Sequence, residues 1–141
     1  YHFGILTSTM HNAWVRSTCG RLKSDFRYSA AIVYNNFPWP EAPTDAQRAA
    51  VEVAAQAVLD ARARFPGETL ADLYDPLTMP PALLKAHHKL DAAVDAAYGK
   101  KPGSLESDAE RVAFLFERWQ ALTSLLPAAP VKRPRRTAPA G

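Results

Sequence analysis

A chain of 141 residues with 48% apolar side chains is long enough for one filled core, or for a fragment carrying part of a second domain, and is too apolar to be disordered throughout. Its single cysteine, Cys19, excludes an internal disulfide framework and a cysteine-built zinc site, and no apolar run approaches the roughly 20 residues that a membrane span requires. The net charge of +3 is unevenly spread, with four basic residues against one acid in 1–40, nine against thirteen in 41–126 and four against none in the last fifteen, so a polyanion is expected to meet the N-terminal segment.

The opening Tyr1-His2-Phe3-Gly4 carries no Met and no basic stretch leading into an apolar one. It reads as the interior of a longer protein, and the chain is expected to be a C-terminal piece of it. Phe3, Leu6, Met10, Trp14 and Val15 recur at spacings of three and four, which predicts one helix over 3–18 with Gly20 as its stop. The polar stretch GRLKSDFRYS is expected to turn into a short strand over 30–34, AAIVY. Pro40 and Pro43 then mark a boundary that neither element can cross. Beyond it the texture becomes alanine-rich helix. Thr44 and Gln47 form a capping box that opens a helix running to Pro66-Gly67. A short helical turn, TLADLY, follows. Pro81 opens the next helix and Gly99 closes it, with Leu83, Leu84, His87, Leu90, Val94 and Tyr98 as its inward stripe. Ser107 and Glu110 form a second capping box, and Pro127 ends the last helix. The fold class is mainly α: a small C-terminal helical bundle preceded by a helix and a short strand. The divisions are 1–41, 42–126 and a tail, 127–141, with almost nothing to bury and an expectation of disorder.

Asn36-Phe37-Pro38-Trp39 lies one residue from Asn-Pro-Pro-Trp, the tetrapeptide with which amino-group DNA methyltransferases hold a flipped base. Phe37 in place of the first proline loses the fixed turn, and no glycine-rich loop follows a strand to hold a methyl donor. Phe37 and Trp39 are better read as apolar anchors, held extended by Pro38 and Pro40, that pack the two parts of the chain together. His87 and His88 point about 100° apart on a helix and do not chelate one ion together. No metal ligand set and no nucleophile–base pair is legible. The basic stretch is different. Arg21, Lys23 and Arg27, interleaved with Ser24, Tyr28 and Ser29, suit a loop that grips phosphate oxygens.

These residues also carry a resemblance. The patterns GIL-S-MH-AW, GRLKSD-RYS and YNNFPWPE are similar to the end of the target recognition domain of MmeI-like enzymes, the type IIL restriction-modification proteins and their adenine methyltransferase relatives. TLADLYDPLTMPPALLKAH and D-ERVAFLFE resemble the helical C-terminal domain that closes those proteins, and the likeness runs over about residues 1–122. The resemblance implies a DNA-recognition and scaffolding piece of an adenine-specific DNA methyltransferase, in the bacterial cytoplasm. It implies a methyltransferase domain upstream that uses S-adenosylmethionine, and in some members a nuclease. It implies that YNNFPWPE closes the recognition domain and is not a catalytic loop. This chain by itself is expected to be inactive and to bind no cofactor. Its expected partners are double-stranded DNA, through Arg21, Lys23, Ser24, Arg27 and Tyr28, and that upstream domain, with no membrane. The alternative is a helical protein-interaction module without DNA contact.

Overall fold

The computed structural model describes residues 1–18 and 33–124, with the backbone of 21–22 and 25–26. The element order is α1 (His2–Thr7), α2 (Thr9–Thr18), β1 (Arg21–Leu22), β2 (Asp25–Phe26), α3 (Asp45–Ala63), α4 (Leu70–Leu73), α5 (Pro81–Ala97) and α6 (Asp108–Ser124). The mainly helical class holds. Three local expectations do not.

The predicted helix over 3–18 is two helices. Ser8 takes an extended conformation (φ −70°, ψ 158°); its Oγ donates to the Ile5 carbonyl at 2.6 Å and accepts from the His11 amide at 3.4 Å. A serine hydroxyl competes for main-chain groups, so it suits the start of α2 better than the middle of one long helix. The break resets the helical phase. Ile5, Met10, Ala13 and Trp14 are buried, whereas Phe3, expected inside, is 41% exposed.

The strand expected over 30–34 is not seen. Val33 and Tyr34 lie in a wide helical turn, and residues 30–32 lie outside the described residues. The turn leads into Phe37, whose amide donates to the Tyr34 carbonyl at 3.2 Å. Val33 is fully buried and its carbonyl accepts from the Trp14 indole N–H at 3.0 Å, so a side chain takes the place of a neighbouring strand. The β-propensity of Ile32-Val33-Tyr34 yields to that tertiary contact. The strand pairing that does occur is antiparallel, Arg21 opposite Phe26 and Leu22 opposite Asp25, inside the stretch expected as an open turn.

The C-terminal helices follow their sequence signals closely. Thr44 and Gln47 exchange both capping-box bonds at the start of α3, and Thr69 and Asp72 do the same for α4. The Glu110 carboxylate accepts from the Ser107 amide while the Ser107 hydroxyl accepts from the Glu110 amide. Gly99, at φ +76°, follows α5, where a left-handed residue is needed and glycine takes it without a Cβ clash. The stripe of α5 is narrower than predicted: Leu83, Leu90, Val94 and Tyr98 are buried, Leu84 is exposed and His87 half-buried. The expected disordered tail, 127–141, lies outside the described residues.

One apolar cluster runs through the whole arrangement. Ile5, Met10, Trp14, Val33 and Phe37 from the first forty residues join Val51, Val58, Leu83, Leu90, Val94 and Leu115 from the helices. Gly4 shows how close the approach is. A Cβ there would stand 2.6 Å from Val51 Cγ1 and 3.2 Å from Ala55 Cβ, so α1 crosses α3 where only hydrogen fits. On the other side, α5 holds α6 through a buried ion pair: Arg111 Nη1 and Nη2 meet the two Asp95 carboxylate oxygens at 2.6 and 3.3 Å.

Candidate nucleic-acid interface

The segment expected to meet DNA is carried by α2. Apolar residues at Met10, Ala13 and Trp14 bury one face of this helix, and its last turn leads straight toward β1. Trp14 ties both ends of residues 19–32. Its carbonyl accepts from the Thr18 hydroxyl at 2.8 Å, just before the segment, and its indole N–H donates to Val33 just after it. The indole is 2% exposed and lies 5.1 Å from the Phe116 ring and 6.1 Å from Phe37. Thr18 and Val33, the described residues on either side of 19–32, thus both bond to Trp14.

Of the residues expected on that loop, Arg21 has its backbone in β1, paired with Phe26, while its side chain lies outside the described residues. Lys23, Ser24, Arg27 and Tyr28 also lie outside them. The short antiparallel pair does change one premise, because a ribbon can enter a major groove where an open turn cannot. Two residues per strand span roughly 7 Å. That is short against a groove about 12 Å wide.

The stretch 36–39 behaves as an internal tie. Phe37 is buried and meets His11 edge-to-face at 4.5 Å between ring centres, with Trp39 at 5.4 Å. Trp39 is half-buried between His2 and Tyr34, at 5.4 and 5.8 Å. The main-chain carbonyls are occupied as well. Tyr98 donates its hydroxyl to Pro38 O at 2.7 Å, and Arg118 Nη2 donates to Trp39 O at 3.3 Å. A base-holding loop would offer its carbonyl to a target amine and its aromatic ring to the base. Here α5 and α6 take the carbonyls, and Phe37 lies under the surface. Burial drives the Tyr98 hydroxyl pKa far up, more than the neighbouring Arg118 lowers it, so it remains a neutral donor.

A cleft of about 440 Å³ lies where the α1–α2 break meets α3, α4 and α5. Arg62 Nε and Nη2 donate to the Tyr74 oxygen at 2.8 and 2.5 Å, and that hydroxyl stands 2.5 Å from His87 Nε2. With its oxygen already accepting from a guanidinium, the Tyr74 proton is best directed at an unprotonated His87 nitrogen. Burial and then Arg62 lower the His87 pKa, in keeping with that neutral ring. One helical turn further along α5, Asp91 reaches Thr9: Oδ1 accepts from the amide at 2.8 Å and Oδ2 from the hydroxyl at 2.7 Å. Sequence reasoning missed this pair, which joins residues 82 apart. The only trace was the run Thr7-Ser8-Thr9, a helix-start signal inside an apolar period that invited one long helix.

Two family models divide the chain. The target recognition domain of MmeI matches residues 1–41, and the C-terminal domain of MmeI matches residues 43–127. DNA methyltransferase A of Bacillus subtilis (strain 168) is 47% identical over 123 residues, which are 87% of this chain and 14% of that protein. The solved structure of the type IIL restriction-modification enzyme MmeI in complex with DNA is similar at a TM-score of 0.82 and 55% identity, over 87% of this chain and 16% of that one. The chain thus spans about one seventh of the length of the methyltransferase it resembles.

Proposed function

The chain belongs to the MmeI family, and on that premise we propose that it forms the closing part of the DNA-recognition unit of a restriction-modification DNA methyltransferase, together with its helical support. The observation that carries this reading is the mounting of residues 19–32. The stretch holding Arg21, Lys23 and Arg27 follows α2 in the sequence, and the buried Trp14 of α2 bonds to Thr18 before it and to Val33 after it. A relative solved with DNA supports the same assignment. The partner is double-stranded DNA, gripped through its phosphates by the three cations, with Ser24 and Tyr28 donating beside them.

The finer reading concerns the longer enzyme in which we place the chain. It transfers a methyl group to the exocyclic amine of adenine, with S-adenosylmethionine as donor held by a methyltransferase domain elsewhere in that protein. Phe37 and Trp39 do not touch the base; they seat the recognition segment on the helices.

The experiment is a DNA titration across a salt series with the full-length enzyme and with Arg21→Ala, Lys23→Ala and Arg27→Ala. Each lost phosphate contact lowers the slope of log affinity against log salt by about one and weakens target and non-target duplexes alike. A changed methylation sequence with the slope intact would assign base reading to this segment instead. No change in either would return the chain to the class of protein-interaction modules.

A further inference from the structure

The segment between α3 and α5 is held to its neighbours by one buried leucine and one hydroxyl group. Residues 69–79 satisfy most of their polar groups among themselves. Thr69 and Asp72 cap each other, the Thr78 hydroxyl donates to the Asp72 carbonyl at 3.0 Å, and the Leu77 amide donates to Asp75 Oδ1 at 2.9 Å. Leu73 is the one buried residue of the segment; Tyr74 and Met79 are half-buried and the others are exposed. Among the described residues, the only hydrogen bonds from 69–79 to a neighbouring helix are those of the Tyr74 hydroxyl, to Arg62 of α3 and His87 of α5.

That hydroxyl is saturated. A phenol donates once and accepts twice. Arg62 Nε and Nη2 fill both acceptor positions, so the single proton goes to His87 Nε2, which must be bare. A proton added at this nitrogen has no partner: the oxygen it faces has no lone pair left, and the hydroxyl proton already points at it. The imidazolium would also face the Arg62 guanidinium across a single oxygen atom. The surrounding charges lean the same way. Burial and Arg62 from α3 oppose protonation of His87, and His88 on its own helix adds to them; Asp91, one turn along α5, favours it but is already engaged by Thr9. The α1–α2 side of the cleft supplies Leu6, Thr7, Thr9 and Asn12, none of them charged. Once 69–79 moves away, His87 returns to water and to its ordinary titration. Opening therefore takes up a proton and becomes easier as the pH falls below 6.5.

We propose that residues 69–79 are a proton-operated latch: the Tyr74 hydroxyl holds them against α3 and α5 while His87 is neutral, and protonation of His87 frees them to swing about Leu73. Tyr74 and Met79 line the cleft of about 440 Å³, so this movement widens it. The latch does not depend on the DNA-recognition reading.

The test is hydrogen exchange with mass spectrometry on the full-length enzyme between pH 7.5 and 5.5, corrected for the pH dependence of intrinsic exchange, with residues 51–58 of α3 as reference. The Leu73 and Tyr74 amides bond to the Thr69 and Leu70 carbonyls. Their protection should hold above pH 6.5 and fall by up to about tenfold per pH unit below it, while 51–58 stays protected. His87→Gln keeps an acceptor for the Tyr74 hydroxyl but no titrating group, so protection at pH 7.5 should persist and no longer fall on acidification. Tyr74→Phe removes the tie itself; protection at pH 7.5 should drop about tenfold and change little further with pH. Protection of 69–79 that stays flat down to pH 5.5 in the unaltered enzyme would overturn the latch. So would an equally steep fall in His87→Gln, or a Tyr74→Phe enzyme as well protected at pH 7.5 as its parent.

Discussion

Removing Asp95 is expected to damage the fold more than any surface change. The Asp95 and Arg111 side chains are 1% and 7% exposed as residues, and they face each other through two hydrogen bonds between α5 and α6. Asp95→Ala leaves a guanidinium with no counter-charge inside the protein, and breaking a buried pair in this way typically costs about 3–5 kcal/mol. Set against a typical total stability of about 5–15 kcal/mol, that is a large share. With a urea slope of about 1–3 kcal/mol per molar for a protein of this size, the midpoint should fall by about 1–5 M. Replacing both partners should behave differently. Asp95→Leu combined with Arg111→Met removes the charges together, and such exchanges are often neutral or stabilising. The assay is urea unfolding followed by far-ultraviolet circular dichroism on the two single variants and the double one. Single variants within about 1 kcal/mol of the parent, or a double variant as unstable as the singles summed, would refute the claim that the pair matters through burial. The damage would reach the recognition end, since α6 holds Phe116 against Trp14 and Arg118 against the Trp39 carbonyl.

Gly4→Ala puts a methyl group 2.6 Å from Val51 Cγ1 and should destabilise by about 1–3 kcal/mol through overpacking; adding Val51→Ala should recover part of that, measured by the same urea midpoints. Burial holds the His11 pKa near 4, below its ordinary 6.5. The unfolded chain therefore takes up a proton that the folded chain refuses, so stability present above pH 6.5 is lost as the pH falls toward 4. His87 shifts in the same direction. His11→Gln should flatten this part of the stability profile without abolishing it, and an unchanged profile would mean that His11 does not titrate with unfolding.

Local chemistry was legible and long-range chemistry was not. Thr44 with Gln47, Ser107 with Glu110, Pro81 and Gly99 each act on main-chain groups within a few residues of themselves, so the C-terminal helices followed from them. Helical periodicity failed where one hydroxyl outweighed it. Phe3 and Leu6 keep the phase of Met10 and Trp14 only if the helix continues through Ser8, and the Ser8 side chain instead caps α2. The strand assigned to 30–34 failed because Val33 answers to Trp14, nineteen residues earlier. Phe37 and Trp39 could be singled out as large rings beside prolines. That Tyr98 and Arg118 would claim the carbonyls of Pro38 and Trp39 could not, since neither spacing nor composition encodes a contact across 60 or 79 residues.

The family models divide this chain at residues 41 and 43, yet the physics that holds it together crosses that line repeatedly. Gly4 fits against Val51, Thr9 is held by Asp91, the Pro38 carbonyl takes the Tyr98 hydroxyl, and Ile5, Met10 and Trp14 share a core with Leu90 and Val94. Each of these contacts is sensitive to its own partner: a larger residue opposite Gly4, or a non-acceptor in place of Asp91, breaks it from the other side. A recognition segment placed on helices that lack those partners would lose several contacts at once. The loss would include the start of α2, where the Thr9 amide and hydroxyl both bond to the Asp91 carboxylate. The two matched parts are therefore built as one packed unit, held by contacts that neither part supplies alone.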